Sequence, residues 1–273
     1  MTTPTWDDLP TAVRARLEND LAPTGPAAPV AGGFTPGVRV QLPTDEGAVF
    51  IKAIRSGSGA ADMYRAEAAA NQVLPAGIGP QLLISFESDG WVVLAFDFLP
   101  GHHPDLTPGS SDLQPVIDAI SRLHTPLTPC PLTSAPEIIT NPVLHEADHQ
   151  QFTGDALLHC DLRADNLLIA EDGQIGVIDW AWPHRGPAWV DTAFLVPQLI
   201  LAGHTAHDAE KWAGQVPAYQ LADDTAINAF ATALTSYWVS RAAQGSPELR
   251  AYRARALDAG RTWVSHRSAT SHR

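Results

Sequence analysis

The stretch LLHCDLRADNLLIAEDGQIGVIDW, residues 157–180, places charged and polar side chains among Leu, Ile and Val that are expected to be buried. Because an unpaired charge is costly to bury, such residues are usually paired, capped, bound to a metal or directed into a reaction site. Asp161 follows His159 after one intervening residue. Asn166 comes five positions after Asp161, and Asp179 ends the apolar segment behind it. This spacing predicts a functional site.

The apolar segment NLLIAEDGQIGVID predicts a β-hairpin, with a turn at EDG between two strands. Asn166 opens the first strand and Asp179 closes the second, so antiparallel pairing is expected to bring the two side chains together. Two oxygen ligands side by side suit Mg²⁺, which is usually completed by waters and substrate phosphates. Asp161, on the loop before Asn166, could orient an acceptor hydroxyl and take its proton. The pattern indicates a magnesium site beside a general base.

The composition argues against several classes of function. The 273 residues include 30 acidic and 17 basic side chains, a formal net charge of −13, which disfavours binding to nucleic acid or to an anionic membrane. Two cysteines are too few for a disulfide framework, and the N-terminal residues lack the basic and apolar regions of a signal peptide. No apolar run approaches the length of a membrane span. We expect a cytoplasmic protein without a nucleic-acid or membrane partner.

The chain predicts an α+β fold with two lobes. The first lobe is a small antiparallel sheet that carries one helix, and a further helix precedes it in the sequence. The strands are expected at 38–42, 48–54, 81–86 and 91–97, and the helices at 6–20 and 59–74. The second is mainly helical, with helices expected at 111–124 and 141–154 and through 188–270. The boundary is placed after residue 97, which gives lobes of 1–97 and 98–273.

Lysine is scarce in this chain. Only Lys52 and Lys211 occur among the 17 basic residues, and Lys52 lies inside the apolar run AVFIKAIR. It could be an ordinary edge-strand lysine. Because the chain otherwise uses arginine for its positive charges, a functional role for Lys52 is favoured.

Several motifs together resemble the aminoglycoside phosphotransferase family, whose members are related to protein kinases by fold. HCDLRADN and IDW look like its catalytic and metal-binding motifs. Upstream, GGFTPG at 32–37 resembles the nucleotide-binding loop, VFIKA supplies the phosphate-binding lysine, and LAFDFLPG at 94–101 resembles the segment that links the lobes. Downstream, GPAWVDTAFL resembles the region with a structural aspartate, here Asp191. The resemblance extends from about residue 28 to 200 and implies a bilobal, protein-kinase-like fold.

The resemblance implies phosphoryl transfer from ATP or GTP to a hydroxyl, with Mg²⁺ as cofactor. Asp161 would take the proton of the hydroxyl, and Arg163 would touch the transferred phosphate. Asn166 and Asp179 would hold the metal ion. The implied partners are a nucleoside triphosphate and a small-molecule hydroxyl acceptor, and the protein would be a monomer or homodimer.

The same resemblance assigns the nucleotide-binding residues. Lys52 would bind the phosphates, with Glu67 as the acid that pairs with it. The remaining positions lie in the glycine-rich loop and in the linking segment, where backbone groups would contact the purine: Gly32, Gly33, Gly37, Phe96 and Phe98.

Alternative interpretations stay open for single residues. Each of Asp161, Asn166 and Asp179 could be a turn or cap residue, since Asp and Asn often have that role. A zinc site formed by His159, Cys160 and Asp161 is a further alternative, although no second His or Cys cluster lies nearby in the sequence. His159 is expected to hold the loop rather than to react.

The acceptor is also open. The span between the linking segment and the catalytic loop is short, which removes much of the region that frames acceptors in the aminoglycoside kinases. An antibiotic, in resistance or self-protection, is one expectation. A metabolic kinase of the choline, homoserine or sugar type is another, and a nucleotide-binding pseudokinase without chemistry is the third.

Overall fold

The computed structural model describes residues 4–33, 35–144 and 149–270. In chain order the strands are β1 (Ala28–Pro29), β2 (Val38–Thr44), β3 (Gly47–Arg55), β4 (Leu82–Ser88), β5 (Trp91–Asp97), β6 (Gly101–His102), β7 (Ala156–Leu158), β8 (Leu167–Ala170), β9 (Ile175–Val177) and β10 (His184–Gly186). The α-helices are α1 (Thr11–Leu21), α2 (Ala61–Asn71), α3 (Leu113–Leu123), α4 (Trp189–Leu201), α5 (Ala206–Ala213), α6 (Pro217–Gln220), α7 (Asp224–Arg241) and α8 (Pro247–Thr270). The expected α+β class, with an antiparallel sheet in the N-terminal part and helices in the C-terminal part, is confirmed.

The chain divides into two compact units. The first comprises Met1–Gly101 and Ala170–Ala181, and the second His102–Ile169 and Trp182–Arg273. Residues 170–181 therefore group with the N-terminal sheet, although the sequence-based boundary at 97 placed them in the second lobe. A backbone hydrogen bond of 2.7 Å from Val177 N to the Ile78 carbonyl ties this segment to the first unit.

The first unit is built on a five-stranded antiparallel sheet with the strand order β1-β2-β3-β5-β4. In β2 the alternation of apolar and polar residues produces alternating burial, with Val38, Val40 and Leu42 on the buried face. Asp89 and Gly90 connect β4 to β5, and both have positive φ, 50° and 76°. Such a pair is typical of the two-residue turns whose twist matches that of the flanking strands.

The two faces of this sheet are covered by different helices. On one face, α1 buries Val13 and Leu17 against strand residues such as Ile51. On the other, α2 packs Tyr64 and Ala68 into a separate apolar cluster. The sheet is thus covered on both faces.

The N-terminal helix begins later than predicted. Residues Trp6–Asp8 form a single 3₁₀ turn, and α1 starts only at Thr11. Pro10 separates the two with an extended backbone, ψ 145°, and it has no N–H with which to continue the first turn.

The second unit is mainly helical around a two-stranded ribbon. β7 pairs antiparallel with β10, and α4, which follows β10, is buried along nearly its whole length. Trp189 of α4 contacts Phe230 of α7, which in turn contacts Trp263 of α8, with ring centroids 5.9 and 6.3 Å apart. This aromatic chain joins the three longest helices into one core.

The helix predicted over 141–154 is not present in the described residues of that range, 141–144 and 149–154. The described residues there show 3₁₀ turns at Ile138–Thr140 and His149–Phe152, and positions 145–148 lie outside the described residues. Asn141 Oδ1 accepts the backbone N–H of Val143 at 3.0 Å. This local hydrogen bond competes with a helical one, as short polar side chains often do.

None of the helices within the described ranges is both long and apolar enough to span a bilayer.

Candidate functional site

In the first unit, the structure brings together three of the predicted residues, a buried lysine and two carboxylates that pair with it. Lys52 lies in the middle of β3 and is only 8% exposed. Its Nζ is 2.8 Å from Asp179 Oδ1 and forms a second ion pair with Glu67 of α2. Glu67 is itself buried, at 2% exposure. The pairing of Lys52 with Glu67, expected from the sequence, is present.

The charges in this cluster depend on each other. Burial alone would lower the pKa of Lys52, but the carboxylates of Glu67 and Asp179 raise it above its ordinary value. Burial raises the pKa of Glu67 to about 7, although Lys52 acts in the opposite direction. Lys52 is therefore a permanent positive charge at neutral pH, held in place from two sides.

Asp179 occupies a constrained turn. Its φ of 62° lies in the left-handed region, which non-glycine residues adopt only at a cost, although Asp tolerates it better than most. The neighbouring Trp180 is buried, and its indole N–H donates to the Val177 carbonyl at 3.1 Å. The Asp179 side chain is 44% exposed. The residue next to Asp179 is thus packed in the protein interior, while the Asp179 carboxylate stays partly exposed to solvent.

In the second unit, Asp191 anchors the loop that contains the HCD motif. Its fully buried carboxylate, in the first turn of α4, accepts the backbone N–H groups of His159 and Cys160 at 2.8 and 2.7 Å. His124 Nε2 lies 3.4 Å from the same carboxylate. Burial lowers the pKa of His124, so the imidazole is neutral at pH 7. Asp191 therefore has the structural role that the sequence suggested.

The loop itself is a tight turn that orients Asp161. Cys160 has φ 62°, and His159, fully buried, accepts the backbone N–H of Asp161 on Nδ1 at 3.2 Å. Asn166 Nδ2 donates to the Asp161 carbonyl at 2.8 Å and to its Oδ2 at 2.9 Å. The side chain of Asp161 is thus fixed by a residue five positions along the chain, and it stays 39% exposed.

Arg163 lies beside this carboxylate. Its Nε is 3.6 Å from Asp161 Oδ2, and its Nη2 is 3.8 Å from Asp165 Oδ2. The Arg163 side chain is 11% exposed. A largely buried guanidinium next to an oriented carboxylate can stabilise negative charge that develops on a bound phosphate.

The side chain of Asn166 directs both of its amide N–H donors to Asp161. No group of three or more His, Cys, Asp or Glu side chains suitable for a metal occurs in the part of the chain that the structure describes. Asn166 uses its amide nitrogen in both bonds to Asp161, which leaves its oxygen as the atom that could bind a cation. An amide oxygen of this kind is a ligand that Mg²⁺ accepts.

The glycine-rich segment forms an irregular loop before β2. Gly32 and Gly33 have φ of 111° and 71°. A Cβ on Gly37 would lie 2.8 Å from the Ala53 carbonyl, so glycine is required there for close approach to β3. Phe34 lies outside the described residues.

The two linker phenylalanines have different surroundings. Phe96 is buried at the end of β5, at 5% exposure, 6.0 Å by ring centroid from Lys52 Nζ. The Phe98 backbone N–H donates to the Ala48 carbonyl at 3.0 Å. That donor is therefore already used within the protein.

Sequence reasoning missed Tyr252 of α8 and Gln198 of α4. The Arg163 guanidinium carbon lies 5.6 Å from the centroid of the Tyr252 ring, and Gln198 Nε2 donates to the Tyr252 hydroxyl at 3.0 Å. Both residues are far from the HCD motif in sequence, and neither belongs to a recognisable pattern. Only the tertiary fold brings them to the loop.

Comparison with protein families places the HCD and IDW motifs in a known group. Residues 153–232 match the model of the phosphotransferase enzyme family, APH. Within these residues the chain is similar to the APH phosphotransferase family. The resemblance recognised in the sequence is thereby confirmed. No curated protein sequence matches the chain significantly.

Solved structures with the APH-type fold extend the similarity to nearly the whole chain. The choline kinase LicA from Streptococcus pneumoniae superposes with a TM-score of 0.66 at 12% identity, covering 92% of this chain and 98% of that one. A thermostable variant of the aminoglycoside phosphotransferase APH(4)-Ia, bound to AMP-PNP and hygromycin B, gives 0.61 at 16% identity, with 93% and 99% covered. A microcompartment-associated aminopropanol kinase gives 0.64 at 13% identity, with 95% and 97% covered. At these identities the similarity concerns the fold.

Proposed function

We propose that this protein transfers the γ-phosphate of ATP or GTP to a hydroxyl group of a small molecule. The observation that carries the proposal is the orientation of Asp161. Its carboxylate is fixed by Asn166, its loop is anchored on Asp191, and it remains accessible to solvent. A residue with only a turn or cap role would not need this combination of support and exposure.

Asp161 would act on the acceptor. A fixed, accessible carboxylate can accept a hydrogen bond from the incoming hydroxyl, align its oxygen with the phosphorus and take its proton as the new bond forms. Arg163, 3.6 Å from this carboxylate, would then face the negative charge of the transferred group. Positioning and neutralisation of charge account for most of the catalysis of phosphoryl transfer.

Lys52, Glu67 and Asp179 would serve the nucleotide. The permanent charge of Lys52 suits the phosphates, and Glu67 holds the ammonium in place. Asn166 and Asp179 are the proposed oxygen ligands of Mg²⁺, which when bound supplies positive charge to the phosphate oxygens. The proposed glycine-loop and linker contacts are Gly32, Gly33, Gly37, Phe96 and Phe98.

The test is nucleotide consumption with ATP and with GTP, in the presence of Mg²⁺, across hydroxylated antibiotics, amino alcohols, sugars and nucleosides. Asp161→Asn is the blank, and Asp258→Asn is the control for an aspartate-to-asparagine change, since Asp258 is 78% exposed on α8 and pairs with Arg261. Acceptor-dependent turnover that is lost in Asp161→Asn and kept in Asp258→Asn supports the proposal. Turnover unaffected by Asp161→Asn would remove this residue from the mechanism.

The proposed metal ligands need a binding measurement. Asp179→Ala is expected to remove the dependence of nucleotide affinity on Mg²⁺, measured by calorimetric titration with and without the metal. If the affinity of the unmodified protein is the same with and without Mg²⁺, the assignment of Asn166 and Asp179 fails.

A second candidate is a metabolic kinase for a cationic amino alcohol. Two of the structural relatives are a choline kinase and an aminopropanol kinase, and a net charge of −13 favours attraction of cationic small molecules. The same panel separates the two, because turnover with amino alcohols and none with antibiotics selects this candidate. Nucleotide binding without turnover on any acceptor favours a pseudokinase.

A further inference from the structure

Arg163 is held by residues from two distant helices. Tyr252 of α8 lies with its ring centroid 5.6 Å from the guanidinium carbon, and its hydroxyl takes a hydrogen bond from Arg163. Gln198 of α4 donates to the same hydroxyl at 3.0 Å. The tyrosine therefore contacts the guanidinium both through its ring and through its oxygen, and Gln198 fixes the rotation of the hydroxyl.

The guanidinium is placed between two carboxylates. The distances from Arg163 to Asp161 and to Asp165, 3.6 and 3.8 Å, exceed the roughly 2.7–2.9 Å of a charge-assisted hydrogen bond. The planar guanidinium of arginine matches a carboxylate geometrically and frequently binds it as a bidentate pair. The contacts with Tyr252 provide a physical reason why it does not do so here.

We propose that Tyr252, supported by Gln198, is a positioning residue that holds the Arg163 guanidinium beside Asp161 and prevents it from closing on that carboxylate. This inference rests on the proposed phosphotransferase function. A closed pair would occupy the carboxylate oxygen that the acceptor hydroxyl needs, and it would draw the guanidinium away from the transferred phosphate. Both effects act on the chemical step and leave nucleotide binding unchanged.

The test compares Tyr252→Phe with the unmodified enzyme on an acceptor that the panel has identified. Loss of the hydroxyl is expected to lower kcat about tenfold, the effect of one hydrogen bond to a charged group. The KM for the magnesium nucleotide should stay within about twofold of its original value, because the lost hydrogen bond does not contribute to binding of the nucleotide in the ground state. The thermal midpoint is expected to fall by only about 2–4 °C, because the donors of Gln198 and Arg163 lose one acceptor.

A double-mutant cycle separates positioning from a merely structural role. In an Arg163→Ala background, Tyr252→Phe should have no further effect on kcat, since its target is gone. If the decreases in kcat caused by Arg163→Ala and by Tyr252→Phe multiply in the double variant, the two residues act independently and the proposal is overturned. If Tyr252→Phe does not accumulate as folded protein, Gln198→Leu replaces it in the same cycle, with a smaller decrease in kcat and the same loss of additivity expected.

The chain offers a matched control. Arg241 stacks on Tyr237 in α7 with a distance of 5.7 Å from guanidinium carbon to ring centroid, much like Arg163 on Tyr252, but no candidate site residue takes part. Tyr237→Phe should leave kcat unchanged. If the unmodified enzyme is active and Tyr252→Phe has the same kcat, the inference about Tyr252 is overturned and the proposed function stands. If the unmodified enzyme shows no turnover with any acceptor, the proposed function is overturned as well.

Discussion

Removal of the Asp191 carboxylate should loosen the HCD loop while the helices remain folded. The carboxylate accepts two backbone N–H groups at 2.8 and 2.7 Å in a fully buried position. Hydrogen bonds to a charged group contribute about 1.5–3 kcal/mol each. Two of them give ~3–6 kcal/mol, from which the desolvation cost of a buried carboxylate must be subtracted. We expect Asp191→Ala to lower the free energy of unfolding by ~2–4 kcal/mol.

Asp191→Asn is the sharper variant because it keeps the shape of the side chain. Its amide offers one acceptor oxygen, so one of the two backbone N–H groups faces a donor and stays unsatisfied. A loss of ~1–2 kcal/mol is expected from one unsatisfied buried donor.

Urea unfolding followed by circular dichroism measures the stability of both variants. Hydrogen exchange should show that the amides of His159 and Cys160 lose protection in particular. Asp258→Asn is the control, because Asp258 is 78% exposed on α8 and pairs only loosely with Arg261, at 3.8 Å; it should unfold as the unmodified protein does. If Asp191→Asn keeps both stability and amide protection, the loop is not anchored in this way.

Three further expectations concern other side chains. Asp161→Asn should abolish turnover and leave nucleotide affinity, measured by calorimetry, nearly unchanged; loss of affinity would instead assign Asp161 to binding. Lys52→Met should lower the free energy of unfolding by ~3–5 kcal/mol, because it leaves Glu67 buried without its cation. The double variant Lys52→Met with Glu67→Leu should recover part of that loss in the same unfolding assay; no recovery would show that the two residues are not coupled. In a thiol-labelling assay Cys160 should react only on unfolding, since it is buried and burial raises the pKa of its thiol; fast labelling of a Cys130→Ser variant would contradict this.

Much of the first unit followed from local signals in the sequence. The strands were predicted at 38–42, 48–54, 81–86 and 91–97, close to their observed positions. The alternation of Val38, Val40 and Leu42 is the local pattern behind the first of them, and an Asp-Gly pair is typical of the turn between β4 and β5. Lys52 was recognisable because the chain contains only two lysines. These features depend on residues close together in the chain, which is why a sequence pattern can reveal them.

The missed features depend on contacts between distant residues or on competing local bonds. Tyr252 reaches Arg163 across about ninety positions, and nothing in the sequence of α8 marks it as different from a packing residue. In the described part of the range 141–154, where a helix was predicted, Asn141 Oδ1 accepts the backbone N–H of Val143, and periodicity cannot detect a local hydrogen bond that competes with a helical one. The assignment of residues 170–181 to the first unit follows from tertiary hydrogen bonds at Ile78 and Val177, which also have no local signature.

The discontinuity of the first unit affects how the protein is made. During synthesis at about 5–20 residues per second, domains generally fold from the N-terminus as their residues emerge. The sheet is complete at residue 97, but the unit also needs residues 170–181, about eighty positions later. For a period of ~4–16 s on the ribosome, at the same rates, Lys52 and Glu67 would be paired without Asp179. The nascent sheet is therefore expected to remain a substrate for chaperones until the IDW segment emerges.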